Sequence, residues 1–228
     1  MIMIFLLMVM TLYINSLAER SPAVKEALTN PSKVYYVGVA SNMLKSKILG
    51  RSLNKSDPIE IISIQPAVVH NHRLAFNLKG FPPLEPAMGG LEPAEGSQCH
   101  GALIELTAEN YEKLWKSEGG GRDKPGYDEI VVDAYPYSGS IAVKAIALRA
   151  ATHVRLRADA SPSLRYKSII LEGAKELGLD GDYVSKLEMI PVQKSNVILR
   201  SMAMYYFFTI SFLLKMRWRW IYESGDES

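Results

Sequence analysis

Between Gly80 and Ser97 the chain carries Pro82, Pro83, Pro86 and Pro93 together with Gly89, Gly90 and Gly96. Proline lacks the amide that helices and sheet ladders use, and glycine gives up the most backbone freedom on ordering. That density predicts a long irregular connection, functional or mobile, which divides the ordered elements into two sets.

Ahead of it, Val34 to Val39 is β-branched and aromatic, bounded by Pro31 and by Ser41-Asn42, and reads as a buried strand. Met43 to Leu49 starts a helix. Ile59, Ile61, Ile62, Ile64, Val68 and Val69 mark a strand over Pro58–Val69, and Arg73 to Asn77 a second one. Beyond the connection, Cys99 to Leu106 is again strand, and Thr107 caps a helix with Tyr111, Leu114 and Trp115 on one face, closing at Glu118. Tyr127–Tyr135 and Ser140–Leu148 alternate as paired strands around the turn Pro136-Tyr137-Ser138-Gly139. Ser161-Pro162 opens a helix with proline at its first position. Tyr166, Ile169, Ile170, Ala174 and Leu177 keep helical spacing up to Gly178, and Asp182–Met189 is a last short helix. The fold class is α+β: a small curved or closed mixed sheet with flanking helices and a hydrophobic C-terminal helix.

At 228 residues and 48% hydrophobic content the chain supports one domain with a real core, placed over 33–191. The formal charge is +2, with Lys and Arg interspersed among Asp and Glu, so nucleic acid is not a partner. Cys99 is alone, which excludes an internal disulfide and fits a reducing compartment. His70 and His72 stand at i and i+2, a spacing that suits a metal on one strand face, but no third ligand is indicated and an exposed pair is the reading adopted. Ser41 lacks a Gly-x-Ser-x-Gly context, no P-loop is present, and Gly38 offers only a fragment of a dinucleotide turn.

The apolar residues crowd the two ends. Segment 1–20 begins with the uncharged run Met1–Ile14, too short to span a bilayer comfortably, which reads as a secretory signal, an interfacial anchor or a start codon set too far upstream. Segment 196–222 holds the apolar run Val197–Leu214, interrupted by Arg200, followed by Lys215, Arg217 and Arg219 interleaved with Trp218 and Trp220. Cations and amphipathic rings favour a membrane interface, so residues 197–220 are either a membrane anchor for a cytoplasmic domain or a helix buried against it.

The helix end Leu114-Trp115-Lys116-Ser117-Glu118 runs into Gly119-Gly120-Gly121. Glycines let backbone approach a ligand closely, so an acid at their lip can act as a positioned base. Tyr36-Val37-Gly38-Val39-Ala40-Ser41-Asn42-Met43 resembles the N-terminal signature of the gamma-glutamylcyclotransferase family, an aromatic strand entering Tyr-Gly-Ser-Asn and then Leu or Met. His100-Gly101-Ala102-Leu103-Ile104-Glu105-Leu106 is similar to the family strand Gly-Val-Leu-Tyr-Glu-Leu, and Leu114–Gly119 to the helix end with its Glu-Gly. Ser161-Pro162-Ser163-Leu164-Arg165-Tyr166, on through Glu172-Gly173-Ala174 to Gly178-Leu179, resembles the C-terminal helix pair of fungal, algal and plant members. The likeness runs in order from about Tyr35 to Pro191. Val39-Ala40 departs from Tyr-Gly, and the family's later tyrosine is not evident between Ala145 and Arg149.

The resemblance implies a barrel of that family and a cofactor-free conversion of a small gamma-glutamyl substrate to 5-oxoproline with release of an amino acid or amine. It implies Glu118 as acid/base, with Val39, Ala40, Ser41, Asn42 and Tyr127 binding substrate. The alternative is a membrane-attached protein of the same fold that binds such a ligand without turning it over. Oligomeric state is left open.

Overall fold

The β-branched and aromatic residues Val34–Gly38 form strand β1 in the computed structural model, which describes residues 20–52, 56–81, 84–194, 201, 202, 205 and 209. The other strands are β2 (Ser63–Phe81), β3 (Glu85–Leu106), β4 (Tyr127–Pro136) and β5 (Val143–Ala150). They close into a barrel in the order β1-β3-β2-β4-β5. All pairings are antiparallel except the seam, where β1 meets β5 in parallel at Tyr36↔Ile146 and Val37↔Ala147. The closed mixed sheet is the one expected from the sequence.

The connection expected over Gly80–Ser97 is instead the first half of β3. Only the turn between Phe81 and Glu85 breaks the hairpin, and the two strands pair from Phe81↔Glu85 to Ser63↔Glu105. Pro86, Pro93 and Gly89 occupy places where a ladder tolerates them. Pro86 is the second residue of the strand, and Pro93 faces His72 beside the register shift at His70/His72, where Asn71 takes φ 57°. Gly89 lies at a second irregularity, between the pairs Ala75↔Gly90 and Leu78↔Met88. Bulges are where sheets accept residues that cannot bond or pack in register. The bulge at His70/His72 joins the two strands expected at Pro58–Val69 and Arg73–Asn77 into one, and Pro58–Ile62 precedes that strand without being part of it. β5 starts at Val143, three residues after Ser140.

The α-helices bounded within the described residues are α1 (Pro22–Ala27), α2 (Lys45–Leu49), α3 (Ala108–Ser117), α4 (Leu164–Glu176) and α5 (Gly181–Met189). Helix α1 lies ahead of the expected domain start at 33. Ser21 caps it, Pro22 opens it and Val24 is buried, so the folded unit reaches back to Arg20. Residues Ser41–Met43 form a 3-10 turn before α2, in place of a helix beginning at Met43. Thr107 caps α3 as expected, its Oγ1 accepting the Asn110 N–H at 3.1 Å. Helix α4 does not begin with Pro162. Its cap is Ser163, whose Oγ accepts the Tyr166 N–H at 3.1 Å while its own N–H donates to Glu85. Helix α4 then crosses the 3-10 turn so closely that a β-carbon on Gly173 would lie 2.7 Å from the Leu44 nitrogen.

Alternation along the strands builds a core on both faces of the sheet. Tyr36, Ile104, Ile146 and Leu148 pack with Tyr111, Leu114 and Trp115 of α3, while Val37, Leu103, Ala134, Ala145 and Ala147 pack on the opposite face. The apolar runs Met1–Ile14 and Val197–Leu214 lie outside the described residues, apart from positions 201, 202, 205 and 209. Among the described residues no helix is long and apolar enough to cross a membrane.

Candidate active site

A cavity of about 530 Å³ opens where β1 ends, bounded by the 3-10 turn, the C-terminus of α3, the bulged part of β3 and the first turn of α4. Its volume is that of a small-molecule site. Val39, Ala40, Ser41, Asn42, Glu118 and Tyr127, the six residues singled out in the sequence, all line it.

Glu118 arrives there because α3 stops on it. Gly119 takes φ +88°, its N–H returns to the Lys116 carbonyl (3.0 Å), and the Gly120 N–H returns to Trp115 (2.9 Å). This is the Schellman termination, which needs a left-handed residue after the cap. The glycine run was expected to bring backbone to a ligand, but it does not line the cavity. Gly120 makes room for Trp115 instead, since a β-carbon there would fall 2.1 Å from the indole.

Asn42 is the centre of the polar network. Its Nδ2 donates to Tyr36 Oη and to Glu118 Oε1, each at 2.8 Å, and its Oδ1 accepts from Arg51 Nε at 2.9 Å. Arg51 Nη2 also lies 3.0 Å from Glu118 Oε1 and 3.4 Å from Ser41 Oγ. The Glu118 side chain is one-tenth exposed and that of Arg51 one-quarter, so the charges meet where water screens them only in part. The sequence reading missed Arg51. It follows Gly50 at the end of α2, and only its place nine residues after Asn42, across two short helical turns, could have flagged it.

Two further tyrosines complete the wall. The bulge removes Gly89 from the β2 ladder, and its backbone is paired by side chains: the Tyr127 hydroxyl donates to its carbonyl at 3.0 Å, and its N–H donates to Tyr166 Oη at 3.1 Å. Tyr166 was read only as a helix core residue, yet it also hydrogen-bonds Ser41. Burial raises the phenols of Tyr36, Tyr127 and Tyr166 above the ordinary tyrosine range, so all three stay protonated.

His70 and His72 do not share a regular strand face, because the left-handed Asn71 stands between them at the register shift. Among the described residues no group of three or more His, Cys, Asp or Glu could hold a metal ion.

No family model matches the chain. Two curated relatives, both described as Gamma-glutamyl cyclotransferase gliK, do. The one from Claviceps purpurea is 28% identical over 140 residues, covering 59% of this chain and 62% of the relative. The one from Aspergillus fumigatus is 26% identical over 191 residues, covering 72% and 66%. The chain thus spans less than two thirds of the length of either. A solved structure described as Gamma-glutamyl cyclotransferase superposes with TM-score 0.58 at 20% identity over 75% of this chain and 97% of that one. An uncharacterized protein from Homo sapiens gives TM-score 0.59 at 22% identity, over 72% and 92%. The structures establish a shared fold, and the relatives carry the likeness into sequence. In sequence and in fold, the chain is similar to proteins described as gamma-glutamyl cyclotransferases.

Proposed function

We propose that the chain cyclises a gamma-glutamyl amino acid or amine, releasing 5-oxoproline and the free amino acid or amine. The observation that carries this reading is the 2.8 Å contact between Asn42 Nδ2 and Glu118 Oε1, which brings the turn after β1 and the acid ending α3 into one cavity.

The substrate's α-nitrogen attacks its own γ-carbonyl carbon. A C–N bond forms as the γ-amide C–N bond breaks, and the proton lost by the amine passes through Glu118 to the departing nitrogen. No water or cofactor is consumed. Attack within one molecule gains most from holding the glutamyl chain folded, where effective molarities are very large, and a positioned base adds a further factor of about 10² to 10⁴. Backbone N–H groups between Val39 and Asn42 face the carbonyl oxygen as it gains charge. Ser41 and Tyr127 orient the substrate. Arg51 pairs with Glu118 and offers the substrate's own carboxylate a cation.

Incubating the purified chain with a panel of gamma-glutamyl amino acids, gamma-glutamyl amines and glutathione yields 5-oxoproline from at least one of them. Glu118→Gln removes that product while leaving the thermal midpoint in place, and unchanged turnover in this variant rules Glu118 out as the base.

A further inference from the structure

Arg20 is the residue directly before the cap of α1, and its side chain is only 5% exposed. Its Nη1 contacts Glu112 Oε1, and its Nε lies 2.7 Å from Glu129 Oε2. The Tyr111 hydroxyl closes the box, donating to Glu129 Oε1 at 2.6 Å. The guanidinium carbon lies 6.0 Å from the Tyr111 ring centroid and 5.9 Å from that of Trp115. Two carboxylates and two aromatic rings around one planar cation is the arrangement that selects guanidinium over ammonium, through its fork of donors and its flat faces.

Tyr111, Glu112 and Trp115 all belong to α3, the helix that ends on Glu118, whereas Glu129 belongs to β4. The cation therefore ties that helix to the barrel wall. Two lines of contact lead from the box to the site. Trp115 lies over Gly120 at the helix termination, and the Tyr111 ring sits 6.2 Å from Tyr36, whose hydroxyl accepts from Asn42.

We infer that Tyr111, Glu112, Trp115 and Glu129 form a guanidinium socket, filled in cis by Arg20, whose occupancy sets the orientation of Glu118. Arg20 is thus a positioning residue, and its effect on turnover rests on the cyclotransferase reading. Arg20, ahead of α1, is thereby coupled to the active site.

The test uses the full chain with Arg20→Ala and two probes, methylguanidinium and methylammonium, at equal ionic strength. Loss of Arg20 speeds backbone amide exchange over residues 114–120 and lowers kcat about 10- to 100-fold with KM changed by less than about twofold, as a misplaced base would. Methylguanidinium restores both and methylammonium neither. Unaltered exchange over 114–120, or equal rescue by the two probes, overturns the socket. Should Arg20→Ala fail to fold, the uncharged variant Arg20→Met with Glu112→Gln and Glu129→Gln decides: wild-type kcat in that protein overturns the positioning role. Absence of 5-oxoproline from the wild type overturns the cyclotransferase reading alone, because the exchange measurement judges the socket without turnover.

Discussion

The β-carbon of Ala40 occupies the space that a side chain at position 89 would need: a β-carbon built on Gly89 lies 2.7 Å from it and 3.1 Å from Leu74 Cδ1. The methyl that Ala40 places where the related signature has glycine therefore packs against Gly89 of β3 in the cavity wall. The two positions form a pair in which one side chain is allowed.

Gly89→Ala overfills that contact and lowers stability by about 1–3 kcal/mol. Ala40→Gly in the same chain recovers a large part of the loss, because the two residues share one space. Urea denaturation of both single variants and the double variant measures the coupling; additive losses would mean the methyls do not meet.

Arg51→Met removes the cation that bonds Glu118, Asn42 and Ser41 together. Charge-assisted hydrogen bonds in partly dry sites contribute about 1.5–3 kcal/mol each, so kcat/KM for 5-oxoproline release falls about 10- to 100-fold. A rise in turnover would instead mark Arg51 as a restraint on the base.

Glu129 carries a pH signature. Burial raises its carboxyl above the ordinary glutamate range, against the lowering effects of Tyr111 and Arg20. In the window between its unfolded and its higher folded pKa the native state binds more protons, so stability falls as pH rises through that window. The contribution is complete below the unfolded value and lost above the folded one. Urea midpoints of wild type and Glu129→Gln, followed upward from about pH 4, differ in slope there; parallel curves would remove Glu129 as the source.

Cys99 is fully buried, and burial pushes its thiol up to about 12. At pH 8 only about one molecule in ten thousand then carries the thiolate, the reactive form. An aromatic disulfide reagent modifies the native protein far more slowly than the protein in denaturing urea. Equal rates would show that the thiol is open to solvent.

Helix α3 was legible almost to the residue, because its cap, its apolar face and the glycine after Glu118 are all local signals. The strands around Val34 and Tyr127 were legible for the same reason: a β-branched and aromatic run in the first and alternation in the second are written in neighbouring residues. β3 was not. Pro86, Pro93 and Gly89 argue for a loop when judged one by one, and become admissible through their places in the ladder, Pro86 at the start of the strand, Pro93 beside one register shift and Gly89 at the other, which is a long-range fact. The site divides in the same way. Ser41, Asn42 and Glu118 could be named from short motifs, whereas Arg51 and Tyr166 reach the cavity through the course of α2 and the crossing of α4 over the 3-10 turn, which no motif encodes.

Closure of the sheet bears on how this protein can meet other chains. β1 is bonded on both flanks, to β3 and to β5, so the seam offers no open ladder to an incoming strand. Beyond Val69, where β2 parts from β4, the residues near 154–160 shield its Phe76–Lys79 stretch: the Lys79 N–H donates to the Val154 carbonyl, and the Leu156 and Ala160 N–H groups donate to the Asn77 and Phe76 carbonyls. Along Phe76–Lys79 a second copy or a peptide must dock through side-chain complementarity, because strand addition there would first require stripping that strap away.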